Sequence, residues 1–237
     1  MPRRVIGRTE PSDVKGASHS GLCERALCRG RQRLEFQLPE GLLKKIEFWI
    51  EYASTYSWLS VSRLGNLADA AGVTIDWQPF WLFPVRQQQE LPMPFPAGSA
   101  RERYMWRDLE RRAKSLGVPY RKPETYPFKS METARIGFVA AREGWCRQFT
   151  ETAFRLHWTE GVLMPTPQNL AAAVQAAGQD MTRVAALAST DEVKEDFRLQ
   201  STRALERGIF GAPSFVVEGE LFWGDDRLEA ALMRAAG

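Results

Sequence analysis

Residues 45–59 read Lys45-Ile46-Glu47-Phe48-Trp49-Ile50-Glu51-Tyr52-Ala53-Ser54-Thr55-Tyr56-Ser57-Trp58-Leu59. Ile46, Phe48 and Ile50 alternate, and Phe48-Trp49-Ile50 is continuously apolar, the pattern of a strand buried on both faces over about 45–51. Ser54 stands where a helix N-cap is wanted, before an apolar-periodic run to Ala71 that Gly72 stops. Val73–Phe80 then reads as a second strand. Strand, helix and strand of these lengths predict a right-handed parallel βαβ unit. The hydroxyl of Ser54, at the positive end of a helix and just past a buried strand, is placed to hold an anion.

Downstream, residues 83–100 carry Pro84, Pro92, Pro94, Pro96 and Gly98 and read as a proline-punctuated loop. A helix is expected over 100–116, then a second extended loop at 123–129, with Ser130 as the cap of the next helix. Further helices are expected at about 130–144, 145–160, 167–178, 180–188 and 190–207. Strand patterning returns at 213–218, with a turn at Gly219-Glu220 and a partner strand at 221–223. Asp225 or Asp226 is expected to cap a closing helix over 227–235. The fold class is therefore α/β: βαβ, a long helical insertion, then ββα. Its divisions are a disordered N-terminal extension at 1–43, an α/β domain from 44–83 and 208–237, and an all-helical insertion at 84–207.

Bulk composition narrows the function classes. Of the 237 residues, 44% are hydrophobic and 26% charged, ordinary for a globular chain with a sizeable core. The net charge of +3 comes from residues 1–40, whose eight basic residues outnumber five acidic ones; residues 41–237 balance at 24 each. Nucleic acid is thus not an expected partner of the folded part. No run of about 18 apolar residues marks a membrane span, so no membrane partner is expected and the cytoplasm is the default compartment. Three cysteines do not make a disulfide framework. Cys23-x4-Cys28 lacks further ligands at metal spacing, Cys146 lies in a helical stretch as a small hydrophobe, and no metal is expected.

At a helix N-terminus after a buried strand, a Cys-x-x-Cys pair would be redox-active, because the helix end stabilises one thiolate. Here Ser54-Thr55-Tyr56-Ser57 fills that slot. Two hydroxyls cannot form a disulfide, but they can donate to a thiolate brought from outside. A free thiol has a pKa of about 8.5, and helix N-termini lower it to about 3.5–7.5. Taken alone, Ser54 is a cap worth about 1 kcal/mol.

A second stretch gives the slot its context. Glu51-Tyr52-Ala53-Ser54-Thr55-Tyr56-Ser57-Trp58-Leu59 resembles the D-x-x-S-P-x-S-x-L opening of kappa-class glutathione transferases and 2-hydroxychromene-2-carboxylate isomerases. Gly208-Ile209-Phe210-Gly211-Ala212-Pro213-Ser214-Phe215-Val216-Val217 and Phe222-Trp223-Gly224-Asp225-Asp226-Arg227-Leu228 resemble that family's ending, over a span of about 44–237. The resemblance implies a thioredoxin-like fold with the helical insertion of DsbA-type proteins. It implies glutathione as cofactor, with Ser54 as the catalytic hydroxyl. It further implies that Ser57, Ala212, the cis-proline Pro213, Asp225, Asp226 and Arg101 contact glutathione, the two acids meeting its γ-glutamyl ammonium group. Arg86, Arg101 or Lys129 would then bind a substrate carboxylate.

The chain departs from the pattern at several places: Glu51 for Asp, Thr55 for proline, no Asn in Gln87–Pro94, and Lys129-Ser130 for Asn-Ser. His157, beside Trp158 on a helix, is read as a packed or surface histidine rather than a base and is given no role. Trp77, Trp81, Trp106, Trp145 and Trp158 either line a flat aromatic pocket or, for most of them, sit in the core. Three functions are open at this point. The first is a glutathione-dependent isomerase of a small aromatic or conjugated acid, in aromatic-compound catabolism. The second is a kappa-like transferase, and the third a non-catalytic binding module. A homodimer is expected by analogy only.

Overall fold

The computed structural model describes residues 44–237. The expectations placed on 1–43, including Cys23 and Cys28, lie outside the described residues. All described residues fall in one compact unit. In chain order they form β1 (Lys45–Ile50), α1 (Thr55–Ala71), β2 (Thr74–Pro79), α2 (Leu82–Gln88), α3 (Ala100–Leu116) and α4 (Met131–Glu143). α5 (Cys146–Arg155) runs on into a π-helical turn (Leu156–Glu160), followed by α6 (Pro167–Ala176), α7 (Met181–Ala188) and α8 (Asp191–Glu206). β3 (Ser214–Val217), β4 (Glu220–Trp223), a 3₁₀ turn (Asp225–Arg227) and α9 (Leu228–Ala236) close the chain.

The four strands lie in the order β2-β1-β3-β4. β1 pairs parallel with β2 and antiparallel with β3, and β4 pairs antiparallel with β3. β1 is central, and this is why its apolar run is continuous. Ile46, Phe48 and Ile50 face the main core with α1 and α9, while Trp49 faces a second core with Phe80, Val85, Ala204 and Ile209. Phe48 stacks on Phe215 at 5.1 Å and meets Trp77 edge-on at 5.2 Å, so one ring ties three strands together. This is the thioredoxin-like arrangement that the resemblance implies, a mixed sheet with an all-helical segment between β2 and β3.

α1 starts and stops as its sequence dictates. Ser54 caps it, and Gly72, with φ 63°, takes the left-handed turn that ends it. α2 is a correction: Leu82–Gln88 is helical where prolines predict loop. Pro84 falls in the first turn, where a helix needs no N–H, and the Leu82 N–H is met by the Glu51 carboxylate at 2.9 Å. The expected boundary at 83/84 therefore falls inside a helix. That helix packs with α8 beneath Trp49, which joins the α/β part to the helical part. Ser130 precedes α4 but makes no side-chain cap, because its hydroxyl is turned to Glu51. Neither Asp225 nor Asp226 caps α9, which the 3₁₀ turn precedes instead. Among the described residues, no helix is long and apolar enough to cross a membrane.

Candidate functional site

The mouth of α1 and the start of β3 come together at one point. Ser54 Oγ accepts from the Ser57 N–H at 3.3 Å and donates to the Ala212 carbonyl at 2.9 Å. The Ala212-Pro213 peptide is cis. Ser57 contributes its backbone only; its hydroxyl is buried and has no hydrogen-bond partner among the described residues.

A cavity of about 550 Å³ opens above this pair. Ser54 and Ala212 lie at its floor, and Tyr56, Trp81, Phe83, Phe95, Tyr126 and Phe128 form aromatic walls. Lys129 is the one Lys or Arg side chain among the residues that line it. Of the five tryptophans named from the sequence, Trp81 alone reaches this cavity. Trp77, Trp145 and Trp158 are buried, and Trp106 packs edge-on against Tyr126 at 5.0 Å. α2, the proline-rich loop that follows it and the loop at 123–129 supply the other walls. Their aromatic residues were the available signal, but loops have no periodicity to reveal a shared face.

Glu51 also lines the cavity and is buried. Its carboxylate accepts from the Ala53 N–H at 3.1 Å, the Leu82 N–H at 2.9 Å and the Ser130 hydroxyl. Burial raises its pKa, while these hydrogen bonds to the charged form oppose the rise. Glu51 thereby fixes the start of α1, the start of α2 and the start of α4 to one another. Tyr56 donates to Asp108 at 2.9 Å, and burial together with that carboxylate holds its phenol in the protonated form.

Asp225, Asp226, Arg86 and Arg101 do not line this cavity. Asp225 is buried and takes two hydrogen bonds from Arg112, from Nε at 3.0 Å and Nη2 at 2.6 Å, so its carboxylate is already engaged. Asp226 is exposed, its nearest cation being the adjacent Arg227 at 3.1 Å. Arg86 does not reach the Ser54 cavity. Its guanidinium is held by the Phe210 and Pro92 carbonyls, because it lies against the backbone of the loop before β3. With Arg101, Phe210 and Trp223 it lines a shallower cleft of about 650 Å³ that meets the Ser54 cavity at Pro94 and Phe95. Arg101 makes no ion pair among the described residues. Trp223 lies over Gly211, where an added Cβ would come within 2.3 Å of its indole nitrogen.

Two other candidate groups are placed away from the site. His157 is buried; its Nδ1 accepts from the Met164 N–H at 3.0 Å, and burial lowers its pKa to about 4. Cys146 is buried beside Thr150, and burial pushes its thiol up to about 12. Among the described residues, no three His, Cys, Asp or Glu side chains gather as metal ligands would.

The chain as a whole is similar to known proteins. The family model described as DSBA-like thioredoxin domain matches residues 45–234. The 2-hydroxychromene-2-carboxylate isomerase of Pseudomonas putida is 28% identical over 77% of this chain and 90% of its own. Glutathione s-transferase kappa 2 of Caenorhabditis elegans is 24% identical over 78% of this chain and 88% of its own. A solved structure of 2-hydroxychromene-2-carboxylate isomerase superposes with a TM-score of 0.73 at 25% identity, covering 80% of this chain and 95% of that one.

Proposed function

The chain belongs to the DSBA-like thioredoxin domain family, and from that premise we propose that it is a glutathione-dependent isomerase of a small aromatic or conjugated acid. The observation that carries the reading is Ser54 at the mouth of α1. It faces the Ala212 carbonyl on the floor of an aromatic cavity, in a slot where redox members of the fold need cysteine. The similarity to isomerases over most of the chain supports the reaction class.

Glutathione fits the residues present. The first N–H groups of α1 and the Ser54 hydroxyl offer donors to an anion, Asp226 offers an exposed acid to an ammonium group, and Arg101 offers a cation to a carboxylate. Bound there, glutathione supplies a sulfur nucleophile that adds reversibly to a conjugated double bond. Ser54 contributes a hydrogen bond that shifts from a neutral carbonyl to a charged acceptor, where it is stronger. The end of α1 adds its positive field. The aromatic walls hold a flat ring and exclude water, and Lys129 meets the acid group of the substrate.

The test is spectrophotometric turnover of 2-hydroxychromene-2-carboxylate with and without glutathione. Turnover that requires glutathione and leaves it unconsumed is the expected result. Consumption of the thiol would point to transfer, the reading that similarity to a kappa transferase supports. No calorimetric binding of glutathione at millimolar concentration would overturn both.

A further inference from the structure

A second chamber, of about 520 Å³, lies behind the Ser54 cavity, between α2, the first turns of α4 and the middle of α8. Trp81 and Met131 line both spaces, which adjoin at these two residues. The Trp81 backbone is pinned to α8, its N–H donating to Ser201 Oγ at 3.4 Å and its carbonyl accepting from the same hydroxyl at 3.3 Å. The chamber is apolar on Val85, Phe197 and Leu205, and basic elsewhere, from Arg135, Lys194 and Arg198. No acid is among the residues that line it.

Arg135 is the one cation without an ion pair among the residues that line this space. Its Nε is buried without a hydrogen-bond partner, and the guanidinium has no ion pair among the described residues. Lys194 and Arg198 are held by Asp191 at 3.0 Å and Glu195 at 2.7 Å, both pairs on the exposed surface of α8. A half-buried guanidinium without an acceptor is a planar fork suited to a carboxylate. A free inorganic anion would leave the apolar wall uncovered; an acid with a one- or two-ring body would cover it and fits the volume.

We propose that this chamber binds a small aromatic carboxylate, with its acid group on Arg135 and its ring between Trp81, Met131 and Phe197. The site is separate from Ser54 and does not depend on glutathione. It is tested on the full chain by titration calorimetry with 2-naphthoate, and with 2-naphthylmethanol as the uncharged match. The wild type is expected to bind the acid at least tenfold more tightly than the alcohol. Arg135→Met is expected to lose at least tenfold for the acid and little for the alcohol. Thr202→Trp, an exposed change at the chamber mouth, is expected to block both probes, and it guards against a folding defect in the Arg135 variant. Lys129→Ala, in the Ser54 cavity, is expected to leave this binding intact. Equal affinity of wild type and Arg135→Met for the acid, or loss with Lys129→Ala while Thr202→Trp binds normally, would overturn the proposal.

Discussion

Ser54 and Ala212, 158 residues apart in the chain, are joined by one hydrogen bond: the Ser54 hydroxyl donates to the Ala212 carbonyl at 2.9 Å. The helix mouth and the loop before β3 thus share a single proton-bearing group. Ser54→Ala removes that bond and the cap on α1. The expected cost is about 1–2 kcal/mol of stability. The expected loss of glutathione-dependent turnover is about 10²-fold, of the size seen when an anion-stabilising donor is removed. Thermal melting and steady-state assays read the two separately; unchanged turnover would reject the role of Ser54.

Asp225 and Asp226 are predicted to behave as opposites. Arg112→Gln leaves the buried Asp225 carboxylate unpaired and should cost about 3–5 kcal/mol, whereas Arg112→Gln with Asp225→Asn should cost less than that single change. Asp226→Ala should change stability by no more than about 0.5 kcal/mol while raising KM for glutathione. Urea unfolding and a glutathione titration decide it. A raised KM in a folded Asp225→Asn protein, with none in Asp226→Ala, would reverse the assignment.

Glu51 gives a pH signature. Burial raises its folded pKa above the ordinary 4.5, so between the two values the folded state holds a proton that the unfolded state has released. Its contribution is therefore present below the unfolded pKa and is lost as pH rises through the folded one. Unfolding free energies measured upward from pH 4.5 should show a falling component in wild type that Glu51→Gln removes. Parallel curves for the two proteins would remove Glu51 as its source.

His157 gives the reverse sign. With a folded pKa of about 4 against an ordinary 6.5, the folded state binds fewer protons than the unfolded state in that window. Stability is therefore complete above pH 6.5 and is lost as pH falls toward 4. The chain has two histidines, so in a His19→Gln background one imidazole remains to be followed by NMR. A midpoint near 6.5 would show that burial does not govern it.

The local signals in the sequence were those that end on themselves. Ser54 and Gly72 bound α1 at Thr55–Ala71, and Gly117 stops α3 after Leu116, because each cap bonds to its own helix. α2 was not legible, since the acid at its start is Glu51, 31 residues earlier, and Pro84 reads as a breaker. The engagement of Asp225 was hidden in the same way, its partner lying 113 residues off. The aromatic residues themselves could be read from the chain; that Phe83 on α2 and Phe95, Tyr126 and Phe128 in the loops line one cavity with Ser54 is a property of the tertiary fold.

Glu51 joins the starts of three helices through one carboxylate. The three helix starts at the cavity are therefore tied to one another, and a shift of one disturbs the other two. Selectivity among ring acids would then change through the side chains around them, above all Phe83 on α2 and Met93 in the loop after it, each 53% exposed. Substitutions there reshape the cavity while the Ser54–Ala212 floor stays in register.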